Sequence, residues 1–288
     1  MDNSKYTVAI HCMVYNHEPF LRQCLDGFVM QQTSFPFFAI VHDDASTDHS
    51  ADIIREYAAK YPDIIHPIYE TENQYCKPGT IFRIMFEAGK DAEYTAYCEG
   101  DDYWTDPHKL QRQVDFLKAN PEYSAIGENA MVLNSITNTQ YPFKKADSHD
   151  VTIEQLITYR RFPTAGVVCR TESLKGILDT CRFYTDTIQW CWLCSKGKVR
   201  YDSTISSVYR RGLQGVTEYT SPLKFAQRIE RWNLEILRCF DVRKSFIYNH
   251  LAKIYNFYFK QAFRHHDFYS AFKCINRGLT YAFKSLLV

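Results

Sequence analysis

The amino-acid sequence predicts an α/β protein, with a mostly parallel central sheet, helices on both faces and a helical C-terminal extension. Three observations carry that expectation. Apolar, strand-like runs alternate with segments of helical periodicity over the first 120 residues, the pattern of strands joined through crossover helices. Pro19 and Pro107 stand at favoured first positions of helices. From Ser221-Pro222 onward only helical periodicity remains.

The elements follow in order. A strand at 6–14 precedes a helix with Phe20, Leu21, Leu25, Phe28 and Val29 at helical spacing. A strand at 37–41 leads through polar turn chemistry at 43–48 into a helix whose Ile53, Ile54, Tyr57, Ala58 and Tyr61 line one face. Further strands are expected at 64–69 and 94–98, with helices at 79–90 and after Pro107, where Leu110, Val114 and Leu117 face inward. Past 125 the pattern loosens into strands near 124–134, 164–169 and 198–209, with helices near 152–160 and 185–196. Ser221 then caps a long helix with Phe225, Ile229, Trp232, Ile236, Leu237 and Phe240 on one face.

With 45% hydrophobic and 23% charged residues in 288, and no low-complexity tract, the chain has a globular composition. No apolar run is long enough to cross a bilayer, and the start MDNSKYTVAI lacks the basic and apolar regions of a signal peptide. A cytoplasmic protein with ten reduced cysteines is therefore expected. Cys191 and Cys194 read as core thiols, because zinc needs four ligands and no second pair or His pair accompanies them. Net charge is +1, yet residues 243–288 carry eight Lys/Arg against the single acid Asp267, leaving an acidic body with 26 basic and 32 acidic residues. That distribution excludes a uniformly basic nucleic-acid binder.

Ligands of such a sheet bind at the carboxyl ends of its strands. One strand end delivers His42-Asp43-Asp44 and another Glu99-Gly100-Asp101-Asp102. Three carboxylates around one glycine repel one another. Either a hard divalent cation, Mg²⁺ or Mn²⁺, neutralises them together with substrate phosphates, or they form a solvated acidic turn before Asp106-Pro107. Asp44 stands where it could accept a base N–H, whereas Ser46, Thr47 and Asp48 read as helix caps.

The succession Tyr15-Asn16-His17-Glu18, Gln31-Gln32-Thr33, IVHDDASTD and YCEGDDYWTDPHKLQRQVDFL resembles family 2 glycosyltransferases over roughly residues 6 to 216. The resemblance implies the GT-A fold, with a GT-A domain at 1–216 (a nucleotide-sugar half about 1–125 and an acceptor half about 126–216) and a helical region at 217–288. It implies an inverting, metal-dependent enzyme that moves a sugar from a nucleoside diphosphate sugar, UDP-linked in the usual case, to a glycan or lipid-linked acceptor in bacterial surface polysaccharide synthesis. On that resemblance Asp44 hydrogen-bonds the base and Tyr15 packs beside it. Asp102 is the direct metal ligand, with Asp101 nearer the ribose or a bridging water. Lys77, Arg83 and Arg210, with Arg211, are cations for the base or diphosphate, and Asp186 is the general base.

Residue-level alternatives stand beside these roles. Asp186 could also be a helix N-cap, Tyr15 core, Arg83 an exposed helix residue, and Trp104 either acceptor-pocket lining or an aromatic packed beside Pro107. A His often found two residues after Tyr-Arg is replaced by Gly212, and the Gln-x-x-Arg-Trp motif of processive synthases is absent. A nucleotidyltransferase would want a Gly-rich phosphate loop where Tyr15-Asn16-His17-Glu18 stands; an inactive carbohydrate-binding relic would not need Asp44, Asp101, Asp102 and Asp186 intact. The basic, aromatic tail at 243–288 suits peripheral contact with an anionic membrane at the inner face of the plasma membrane, or packing on the catalytic domain or on a second subunit in a homodimer.

Overall fold

The computed structural model describes residues 6–77, 79–158, 162–182, 184–212 and 221–288. The expected domain junction at 216/217, and the end of the helix expected at 152–160, lie outside the described residues. The first half runs β1 (Val8–Val14), α1 (Glu18–Val29), β2 (Phe37–Asp43), α2 (Ser50–Lys60), β3 (Ile65–Tyr69), α3 (Thr80–Gly89), β4 (Tyr94–Tyr97), β5 (Tyr103–Trp104) and α4 (Lys109–Ala119). It continues with β6 (Tyr123–Asn134), β7 (Thr139–Pro142), β8 (His149–Val151), α5 (Ile153–Thr158), β9 (Val167–Arg170), α6 (Ile177–Thr180), α7 (Asp186–Lys196) and β10 (Lys198–Arg211). Three helices follow: α8 (Pro222–Cys239), α9 (Lys244–Arg264) and α10 (Phe268–Leu286).

One sheet has the order β3-β2-β1-β4-β9-β6-β10-β5, with β7 on β6 and β8 on β10. The run β3-β2-β1-β4 is parallel. Helices α1, α2 and α3 connect these four strands in chain order, and a crossover is the connection a parallel pair requires. Beyond β4 the sheet is mixed: β9 lies antiparallel to both β4 and β6, β10 runs parallel to β6, and two-residue β5 closes the edge antiparallel to β10. Strands as short as β5 have no period to read, and the polar stretches of β7 and β8 carry no apolar alternation.

Both faces of β1, β2 and β4 are covered, so those strands are buried along nearly their whole length and mostly apolar. Val8, Ile10, Cys12 and Val14 pack with Leu21, Leu25 and Phe28 of α1, Ile53 and Ile54 of α2, and Leu110, Val114 and Leu117 of α4. Ala9, Phe38 and Ile40 meet Met85 of α3 on the other face. A second cluster joins β9, β10 and α7 to the C-terminal helices through Trp192, Ala226, Ile236, Phe240, Ile247, Leu251, Tyr255 and Tyr281.

The last three helices are locked by one buried acid. Glu230 of α8 accepts from Arg277 Nη2 at 2.7 Å and from the phenols of Tyr255 and Tyr281. Burial opposes its ionisation, but the Arg277 bond and then the two phenols outweigh burial and hold its carboxyl below the ordinary value. Because the folded state binds the proton less well, this stabilisation is present above the unfolded Glu pKa and is lost as pH falls through the folded one. Glu230→Gln should therefore lower stability at pH 7 by ~1–3 kcal/mol, the range for a buried bond to a charged group, and should flatten the acid limb below about pH 4.5. Urea unfolding followed by circular dichroism at pH 7 and pH 4 measures both; an unchanged acid limb would remove Glu230 from the account.

Candidate active site at the carboxyl ends of β1, β2 and β4

Two loops are stitched together residue by residue. The loop after β1 (Tyr15, Asn16, His17) receives hydroxyls from the loop after β2: Asn16 N donates to Ser46 Oγ and His17 N to Ser50 Oγ, each at 2.9 Å. Glu18 N donates to Asp48 Oδ2 at 3.0 Å, while His49 N donates back to Glu18 Oε2 at 3.1 Å. Thr47 N donates to Asn16 Oδ1 at 2.7 Å. Amides at the start of α1, which have no partner inside their own helix, are thus satisfied by the neighbouring loop. The cap roles expected within α2 turn outward: its N-cap is His49, and Asp48 serves the amides of both Glu18 and Ser50. Asn16 (φ 55°) and Ala45 (φ 59°) take left-handed backbone at the two turns, a conformation uncommon outside glycine that clusters at functional sites.

Asp44 is buried at the end of this stitch, its own amide donating to Val14 O at 2.9 Å. Its Oδ1 accepts from Gln74 N at 2.6 Å and its Oδ2 from Tyr75 N at 3.2 Å. A carboxylate has about four acceptor positions, so these two amides leave capacity for a third donor. They also anchor the loop that carries Lys77, whose ammonium lies 3.9 Å from Glu72 with over half its surface in solvent. Tyr15, one residue after the Val14 carbonyl that the Asp44 amide bonds, is 46% exposed, which rules out the core alternative for it. Arg83 is exposed in the first turn of α3.

The acidic turn after β4 meets this loop pair at His17. Burial holds the His17 imidazole below its ordinary pKa against the pull of Asp101, Asp48 and Asp43, so acids from the ends of β2 and β4 surround one ring. Gly100 permits the approach: a Cβ there would sit 2.7 Å from His17 Nδ1 and 3.0 Å from Val14. Asp102 is 2% exposed, and its Oδ1 accepts from Arg210 N at 2.8 Å. The Arg210 guanidinium bonds the Asp101 carbonyl and the Gln23 side chain and stacks over Phe20 and Tyr103, 4.9 and 4.6 Å from the ring centroids. Sequence reading missed this bracing role, because it depends on β5 pairing Tyr103 and Trp104 with Val208 and Ser207. Among the described residues no three His, Cys, Asp or Glu side chains group as a metal cluster. Two adjacent hard carboxylates do fit Mg²⁺ or Mn²⁺, which take the rest of their shell from water and phosphate oxygens.

Asp186 stands at the first position of α7. The N-cap is Thr185, whose side chain accepts from Ile188 N at 3.3 Å, so the capping alternative for Asp186 is corrected by one residue. Asp186 Oδ2 instead accepts from Thr164 Oγ1 at 3.3 Å. The next residue, Ala165, takes the Trp104 indole N–H at 2.8 Å, tying Asp186 to the same turn that carries Asp101 and Asp102. Thr164 had no sequence signal. Trp104 is buried, with the wholly buried Lys109 ammonium 4.5 Å over its ring, so it packs rather than lining an acceptor pocket. Burial pushes the Lys109 ammonium down to about 8. Cys191 is buried, and the half-buried Cys194 thiol lies 3.7 Å from Val151 O.

Residues 10–186 match the family described as "Glycosyl transferase family 2". An uncharacterized protein of Mycobacterium tuberculosis is 32% identical over 222 residues, 76% of this chain and 63% of its own length; the chain thus spans less than two thirds of that relative. Among solved structures, S. aureus TarS 1-349 in complex with UDP-GlcNAc has a TM-score of 0.70 at 17% identity, over 96% of this chain and 81% of that one. The mannosyltransferase PcManGT from Pyrobaculum calidifontis, in complex with GDP-Man and Mn²⁺, has a TM-score of 0.59 at 14% identity, over 99% and 76% of the two chains.

The Gly100 contact yields a stability test. Gly100→Ala should cost ~1–3 kcal/mol, the usual range for overpacking, read as a fall in the urea midpoint. A loss below about 0.5 kcal/mol, the size of an ordinary surface substitution, would mean that the acidic turn and the His17 loop are not held in contact.

Proposed function

The chain belongs to glycosyl transferase family 2 and has the GT-A fold, and from that premise we propose that it moves a sugar, with inversion, from a nucleoside diphosphate sugar to a glycan or lipid-linked acceptor. UDP is the nucleotide we assign, and bacterial surface polysaccharide the product class. The observation that carries this reading is that the turn bearing Asp101 and Asp102 meets the His17 loop through Asp101, that Asp44 is joined to the end of β1 just before that loop by its amide on Val14 O, and that Asp186 is tied through Thr164 and Ala165 to the same turn. TarS with UDP-GlcNAc and PcManGT with GDP-Man and Mn²⁺ support a nucleotide-sugar donor and a divalent cation.

In this reading Asp44 accepts an N–H of the base and Tyr15 lies against the ring. Asp102, with Asp101 beside it, would hold Mg²⁺ or Mn²⁺, which when bound neutralises the leaving diphosphate. Lys77 and Arg83, both exposed, are assigned as cations for the base or the diphosphate. Arg210 contributes its charge from a braced position, having already bonded the Asp101 carbonyl. Asp186 takes the proton from the acceptor hydroxyl as that oxygen attacks the anomeric carbon, and the Thr164 hydroxyl orients its carboxylate.

Steady-state kinetics on a panel of UDP-sugars test the assignment. Asp186→Asn should lower kcat about 100-fold or more, the usual contribution of a general base, while leaving donor affinity nearly unchanged. An unchanged kcat would return Asp186 to a structural role, and absence of turnover with every nucleotide sugar in the wild type would overturn the transferase reading.

A further inference from the structure

The outward face of α9 and α10 is used by nothing described so far. The twelve aromatics of the tail divide by burial. Tyr255 and Tyr281 are buried, and Phe246, Tyr248, Tyr258 and Phe259 pack partly against the core. Phe257, Phe263, Phe268, Tyr269, Phe272 and Phe283 remain exposed. On α10 the buried residues are Ser270, Ala271, Cys274, Gly278 and Tyr281. A different face carries Phe268, Phe272, Leu279, Phe283 and Leu286, exposed by 60, 62, 62, 63 and 83%. At 3.6 residues per turn these five fall within an arc of about 60°, a continuous apolar stripe rather than scattered surface residues.

Beside that stripe runs a basic one. Lys253, Phe257, Lys260 and Arg264 are exposed and share one face of α9. Gly278 of α10 packs on Ala252, Tyr255 and Asn256 of α9. The two helices are antiparallel, joined by a three-residue link, so the residues just beyond that seam turn to the same side of both. Asp267, the single acid of the segment, is spent as the N-cap of α10, accepting from Ser270 N at 3.0 Å. Among the described residues, Arg277 alone of the segment's basic side chains is ion-paired, to Glu230.

From this arrangement we infer that the outer face of the α9–α10 pair docks on an anionic lipid bilayer, with the Phe/Leu stripe in the interface and Lys253, Lys260 and Arg264 against the headgroups. An apolar stripe flanked by unpaired cations is the pattern of a helix lying in a headgroup layer. No helix among the described residues is long and apolar enough to cross a membrane, so the contact is one of lying on rather than spanning. A second copy of the chain fits this face poorly, because pairing would bring together two segments that each carry eight basic residues against one acid.

Vesicle flotation of the purified full chain tests the inference, and it needs neither donor nor acceptor, so its outcome is independent of the transferase reading. The chain should float with phosphatidylcholine vesicles containing one third phosphatidylglycerol at low salt, and binding should be about tenfold weaker in high salt or on phosphatidylcholine alone. The triple variant Phe272→Glu, Leu279→Glu, Phe283→Glu and the charge variant Lys253→Glu, Lys260→Glu should each lose binding while keeping the wild-type circular dichroism spectrum and melting temperature, since all five side chains are exposed. Failure of the wild type to bind anionic vesicles would overturn the inference, and so would binding that survives in both variants. A wild-type dimer in sedimentation that the triple variant converts to monomer would assign the face to a second copy instead.

Discussion

The hydrogen bond from the Arg210 amide to Asp102 is the constraint on which the site depends. It joins the acidic turn after β4 to a strand more than 100 residues later in the chain, and β5 makes it possible. By pairing with Val208 and Ser207, Tyr103 and Trp104 bring the end of β10 alongside the turn. Arg210 then acts twice, through its amide on the Asp102 carboxylate and through its guanidinium on the Asp101 carbonyl. An acidic turn whose carboxylates repel one another is held in one conformation from outside. In the proposed reading, that preorganisation would let the carboxylates present hard oxygens to a cation without rearranging.

The same economy of placement recurs around the cleft. Side chains around the start of α2 also satisfy the neighbouring loop, so Asp48 serves Glu18 as well as Ser50 of its own helix, while Ser46 and Ser50 serve Asn16 and His17. These three bonds are partly buried, where a lost partner leaves a polar group uncompensated. Asp44 extends the chain of contacts to Gln74 and Tyr75, and Thr164 extends it to Asp186. Residues from seven separate stretches of sequence are therefore linked to one another, each through a backbone amide, a carbonyl or a hydroxyl. The closing helices stand apart from this chemistry and are held by Glu230.

Much of this was legible in the sequence, and what was not has physical reasons. The parallel half could be read because both faces of its strands are buried and each strand is followed by a helix of clear period. The strand-end positions of Asp44, Asp101 and Asp102 could be read from the strand pattern, whereas strand-end carboxylates alone left a solvated turn open and their roles came only with the family resemblance. Asp186 was ambiguous by a single residue, since Thr185 and Asp186 are both good caps and only geometry decides between them. Arg210 could be read as a cation near the site but not as its brace, because the brace depends on a two-residue strand with no periodicity. In the tail, aromatics at helical spacing cannot say which face is buried when two faces carry them; burial separates Tyr255 and Tyr281 from Phe272 and Phe283.

The central claim is that a divalent cation bridges the braced carboxylates and a nucleoside diphosphate. Calorimetric titration of UDP into the protein, with Mn²⁺ and again with EDTA, tests it most directly. The account predicts binding at least about tenfold tighter with Mn²⁺, equivalent to ~1.4 kcal/mol, and predicts that Asp102→Asn abolishes the difference while the fold is retained. Equal affinity for UDP in Mn²⁺ and in EDTA would contradict it.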